Sequence, residues 1–137
     1  MVDVPPEPDS TEPESVRPGL LADDPVVRAL VTSTFSHVAD SDPDRVGAYL
    51  DDLEPCLDDQ HGDVRASATR VSAAVAKSDP ELVTQYLDAI VGHHEDSVVE
   101  VRRNVTYTVG EIAKTDAESV AQFVGVYRDR NWSIIRL

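Results

Sequence analysis

The sequence has a single cysteine, Cys56, among 137 residues. This excludes an intrachain disulfide and any cysteine-based zinc cluster, and the placement of Cys56 fits a small, partly buried side chain. Aromatic residues make up only 5% of the chain against 41% hydrophobic residues. A core must therefore come from Val, Ala and Leu, which suits packed helices. Lysine is nearly absent, with Lys77 and Lys114 against many arginines. The six glycines are scattered, so there is no Gly-rich phosphate loop. No apolar run reaches the length of a membrane span. The opening stretch MVDVPPEPDSTEPES lacks the basic and apolar regions of a signal peptide. The expectation is a soluble, cytoplasmic protein.

What the chain has in excess is negative charge. Twelve Lys+Arg against 26 Asp+Glu leave a net charge of −14. Such a surface repels nucleic-acid phosphates and does not favour anionic membranes. The dominance of Asp and the scarcity of Lys resemble salt-adapted cytoplasmic proteins, whose charge keeps them soluble when screening is strong. The alternative is an acidic surface for a basic partner. The charge is uneven: residues 1–64 carry 3 basic and 16 acidic residues, residues 65–137 carry 9 and 10. Arg102, Arg103, Arg128, Arg130 and Arg136 are thus a candidate basic patch for nucleic acid.

Residues 1–19, rich in Pro, Glu, Asp and Ser, are expected to form a disordered acidic tail, because they cannot bury enough apolar surface to offset ordering entropy. The rest repeats with a 37-residue period. Units 20–56 and 57–93 are identical at 14 of 37 positions, and 57–93 and 94–130 at 10 of 37. Chance gives about two or three, so a repeat array is expected. Val27-Arg28 recurs as Val64-Arg65 and Val101-Arg102. Tyr49, Tyr86 and Phe123 align, as do Val46, Val83 and Val120.

Each unit reads as a helical hairpin. First helices are expected near 25–39, 63–76 and 98–113. In the third, Val98, Val101, Val105, Val109 and Ile112 recur every three or four residues and so share one face. A short connection follows, with Ser41, Ser78 or Thr115 as the expected N-cap of the second helix and an acid three residues on. Pro43 and Pro80 fit the first turn, where no backbone donor is needed. The second helices are expected to bury Val46, Tyr49, Leu50 and Leu53, then Val83, Tyr86, Leu87 and Ile90, then Val120, Phe123, Val124 and Tyr127. One hairpin cannot bury both its apolar faces, whereas three stacked hairpins form a continuous core.

An Asp six residues before the Arg of a Val-Arg pair, opening a helix that ends in Val-Ala or Ile-Ala, resembles the HEAT repeat. The pairs are Asp59 with Arg65 and Asp96 with Arg102; in the first unit Ala22 replaces the Asp, with Asp23 beside it. The resemblance covers residues 20–130. It implies an all-α solenoid of three HEAT-like hairpins, with Arg28, Arg65 and Arg102 in a structural Asp–Arg ladder between adjacent units. It also implies a concave row of second helices that binds a protein partner, here through Arg45, Asp51, Asp52, Thr84, Gln85, Asp88, Ser119 and Gln122. A non-enzymatic scaffold or adaptor is the expected function, with nucleic-acid contact through the arginine patch as the alternative.

Catalytic chemistry finds little support in the residues. His93-His94-Glu95-Asp96 carries metal-ligand residue types, but it lies before a helix without a His-x3-His partner, and His37 and His61 add none. A solvated loop without metal is expected. Deoxyhypusine hydroxylases resemble this architecture but carry His-Glu pairs where this chain has Arg65-Ala66-Ser67 and Arg102-Arg103-Asn104. DNA glycosylases of HEAT-like repeats need a basic groove, and the overall charge here has the wrong sign. No cofactor is expected. The apolar end 131–137, with Trp132, Ile134 and Ile135, is expected to cap the array, or to dock onto a partner or a second copy.

Overall fold

The structure, a computed structural model, describes residues 12–123. Every element in this span is helical, with no strand among the described residues. No helix among them is long and apolar enough to cross a membrane.

Three long helices dominate: α2 (Pro25–Ser41), α5 (Gly62–Ser78) and α8 (Val99–Ala113). Their bounds lie within two residues of the expected first helices. The Asp24 carboxylate caps α2 by accepting from the Val26 N–H at 2.9 Å, and Pro25 fills the first helical position. Each helix buries one apolar stripe: Val31, Phe35 and Val38 in α2; Val64, Ala68, Val71 and Val75 in α5; Val101, Val105 and Ile112 in α8. A fully buried valine contributes roughly 1.5–3 kcal/mol relative to an exposed one. The central helix α5 packs on α2 along one side and on α8 along the other.

The second half of each unit departs from expectation in two ways. It begins one residue later: α3 (Pro43–Gly47), α6 (Pro80–Thr84) and α9 (Ala117–Ala121) have Asp42, Asp79 and Asp116 as N-cap residues. Ser41 and Ser78 are instead the last residues of α2 and α5, and the Thr115 hydroxyl donates to the Ile112 carbonyl. The reason is local in the first two units. A proline drives the residue before it out of the helical region, and Asp42 and Asp79 stand at ψ 72° and 81°. At Asp116 the carboxylate caps α9 by accepting from the Ser119 N–H.

The second helix is also broken. After α3 and α6 the chain turns and restarts as α4 (Leu50–Leu53) and α7 (Leu87–Val91). At each break an aromatic residue's N–H reaches back three residues instead of four, Tyr49 to Val46 and Tyr86 to Val83, and after α9 Phe123 does the same to Val120, each at 2.9 Å. The expected apolar residues are nonetheless inside. Val46, Leu50, Leu53, Val83, Tyr86, Leu87, Ile90 and Val120 are buried. Tyr49 and Phe123 pack at the edge of the core, Tyr49 edge-on against Phe35 with ring centroids 5.5 Å apart. Val124 and Tyr127 lie outside the described residues.

The expected tail boundary at residue 19 is corrected. Residues 13–21 form α1 (Pro13–Val16) and a 3-10 turn, Arg17–Leu21. Adding 37 gives α4 and the 3-10 turn Glu54–Asp58. The segment therefore repeats the closing elements of the first unit one period earlier. Its apolar minority is what orders it: Pro13 and Leu20 are buried and Val16 packs against the core. Gly19 permits close docking, because a Cβ there would stand 2.6 Å from Val31 Cγ2.

Candidate interaction surfaces

The most regular polar feature joins neighbouring units. Arg28 Nε donates to Asp59 Oδ2 at 2.7 Å, and its Nη2 donates to Oδ1 at 3.3 Å. Arg65 repeats this on Asp96 at 2.8 and 3.0 Å. The remaining nitrogen of each fork turns to its own unit: Arg28 Nη1 donates to the Ala22 and Asp23 carbonyls, and Arg65 Nη1 to those of Asp59 and Gln60. The carboxylate side chains are only 9% and 5% exposed. Burial alone would raise the carboxyl pKa of Asp59 and Asp96. The arginine hydrogen bonds, with donations from His61 to Asp59 and from Val98 and His93 to Asp96, outweigh it and hold both below the usual carboxylate range. Arg102 Nη1 donates to the Asp96 carbonyl at 2.7 Å, and no carboxylate among the described residues pairs with its fork. The expected pairs Asp59–Arg65 and Asp96–Arg102 thus meet through the aspartate backbone. The carboxylates serve the arginine one unit earlier.

His93 joins this network. Its Nε2 lies 2.8 Å from Asp58 and its Nδ1 3.2 Å from Asp96. The expectation of a solvated loop is corrected here, because the ring ties two turns together. Among the described residues no group of three or more His, Cys, Asp or Glu side chains is arranged to hold a metal. Burial, followed by the charge of Asp59, pushes the Cys56 thiol up to about 11, which leaves little thiolate for nucleophilic chemistry.

Most of the expected second-helix contacts are engaged within the chain. Arg45 pairs with Glu12 and Glu14, and Asp52 lies 3.9 Å from Arg17. Asp51 accepts from the Tyr86 hydroxyl; burial first and this partner second push the tyrosine up to about 12. Thr84 donates to the Pro80 carbonyl, and Ser119 donates to Asp116. Gln85, Asp88 and Gln122 remain exposed on this side.

A further concavity lies elsewhere. An open groove of about 690 Å³ runs over the outer side of α5, between α2 and α8. Its floor is Ala39, Ala73 and Ala74; its polar rim carries Asp40, Arg70, Lys77, Arg103, Asn104 and Tyr107. Arg70 pairs with Asp40 at 2.9 Å. Lys77 and Arg103 pair with no carboxylate among the described residues. Asn104 Nδ2 donates across the helix boundary to the Ala66 carbonyl and Thr69 Oγ1.

Of the expected basic patch, Arg103 is exposed at this groove and Arg102 sits at the ladder's end. Arg128, Arg130 and Arg136 lie outside the described residues, as do Trp132, Ile134 and Ile135. Sequence reasoning missed Arg70 and Lys77. The signal was present: they are seven residues apart, two turns along one face of α5. Comparison with known proteins gives no matching family model, no similar curated protein and no similar solved structure.

Proposed function

We propose that the chain is a non-enzymatic scaffold: an α-solenoid of three HEAT-like hairpins that binds a protein partner in the cytoplasm. The observation supporting this reading is the recurrence of one interface. Arg28–Asp59 and Arg65–Asp96 span the same 31 residues with the same bidentate geometry, beside first helices packed in chain order. Such arrays commonly present an extended surface for partners. The groove over α5 is the favoured surface, because it combines a methyl-lined floor with Lys77 and Arg103, two cations lacking internal partners among the described residues. A photo-crosslinking residue at Tyr107, exposed on its rim, is expected to capture one protein in native cells. Arg103→Glu with Lys77→Glu should abolish that adduct while leaving the melting curve intact. A folded probe that captures nothing, there or at Gln85, would count against the scaffold.

Nucleic-acid contact is the second reading, favoured by the gathering of Arg70, Lys77, Arg103 and Tyr107 in one groove and opposed by the net charge of −14. Retention of single-stranded nucleic acid in a gel shift, lost with Arg103→Glu, would move the assignment to it.

A further inference from the structure

The outer side of α2 carries an apolar strip that no described element covers. Leu30 is 65% exposed, Val26 63% and Leu21 76%. The repeat itself shows what these positions are for. Val27 is 37% exposed, while its counterparts Val64 and Val101 are fully buried in α5 and α8, each of which has a first helix packed ahead of it. Residues 13–21 match the second-helix side of a preceding hairpin, and no described residue packs on the first-helix side of α2. It is also oilier than its internal counterparts: Val26 and Leu30 stand where Asp63 and Ser67, then Glu100 and Asn104, occur.

We propose that this strip is a self-association surface, on which a second copy of the chain lays its own α2 antiparallel. Two observations select this occupant. First, the outer edge of α8 is a poor match. The close-approach positions that α5 offers to α8 are Gly62 and Ala66. A Cβ at Gly62 would stand 2.5 Å from Val98 Cγ2, and the Ala66 carbonyl accepts directly from Asn104. In α8 these positions are Val99 and Arg103, whose bulk disfavours head-to-tail stacking. A closed two-fold pair uses one patch twice and needs no second edge. Second, the strip is complementary to itself. Leu30 lies midway between the acidic pair Asp23-Asp24 and His37. An antiparallel pair centred on Leu30 places leucine on leucine and sets each chain's His37 ring N–H facing the other's carboxylates. Asp40, one turn beyond, is already held by Arg70 and adds no unpaired charge there.

A single helix pair buries little area by the standards of stable complexes, so association in roughly the micromolar range is expected. Two chains of −14 repel, and salt should strengthen the pair by screening. Sedimentation of the full chain from dilute buffer to molar KCl tests this. The mass should approach twice the monomer as salt rises. Leu30→Asp should weaken association about tenfold or more with melting unchanged, since Leu30 is largely exposed. Leu30→Cys should give an interchain disulfide on oxidation, and Val99→Cys should not. A monomer at every salt concentration, a dimer indifferent to Leu30→Asp, or equal cross-linking at Val99→Cys would each overturn the proposal. So would a monomeric Leu30→Cys chain that cross-links to a different protein.

Discussion

The two interfaces flanking α5 share a skeleton and differ in dress. Both carry the Arg–Asp fork, once from Arg28 and once from Arg65. On the groove side they diverge. Between α2 and α5 the paired positions are Asp40 and Arg70, which form an ion pair. One period later the same positions are Lys77 and Tyr107, and no such pair forms. Asn104 instead stitches α8 to α5. What stays constant between two copies of one interface is what the packing needs. What varies on an exposed rim is released from that duty. Composition alone gives no hint of this division.

The comparison can be broken at the shared element first. Arg65→Ala takes both guanidinium donors and the paired charge from the nearly buried Asp96 carboxylate and should cost about 2–3 kcal/mol in urea melts; an unchanged midpoint would show that the forks are ornamental. Acid acts on the same bonds. The carboxyls of Asp59 and Asp96 are held below their unfolded values, so their contribution is complete above the ordinary Asp range near pH ~4. It is lost as pH falls through the depressed folded-state values. Stability followed by circular dichroism should fall more steeply below that range in the native chain than in Arg65→Ala. The stitch found at one interface alone is smaller: Asn104→Ala should cost about 1 kcal/mol, and a loss as large as that of Arg65→Ala would erase the distinction drawn here. Smallest is the exposed pair. Arg70→Ala should stay within about 0.5 kcal/mol in the same melts.

The period, the three first helices and the arginines of the ladder were legible in the sequence, because a 37-residue slide aligns buried valines whose positions tolerate little change. Three features were not. The segment at 13–21 hid behind its composition: Glu12 and Glu14 stand where Tyr49 and Asp51 recur, and Pro18 with Leu20 against Pro55 with Leu57 were the remaining trace. The cap shifted from Ser41 to Asp42 because the steric demand of a following proline outweighs hydroxyl capping preference. The breaks at Tyr49 and Tyr86 leave the apolar spacing intact, so periodicity cannot reveal them. The groove was missed for a different reason. Its rim is drawn from three helices whose starts lie 37 residues apart, and only their packing brings Arg70, Lys77 and Arg103 together. The arginine forks and their reach between adjacent units followed from the HEAT-like reading; the particular pairs, Arg28 with Asp59 and Arg65 with Asp96, came only with the packing.

The repeating seam also bears on how such a molecule grows, because one Arg–Asp geometry joins unit to unit on both sides of α5. A duplicate of residues 57–93 inserted after residue 93 would meet an Arg–Asp fork on each side and leave both termini untouched. Lengthening in steps of 37 residues therefore requires no new terminus, and each added step would carry a fresh stretch of rim that selection can rewrite without disturbing the seam beneath it.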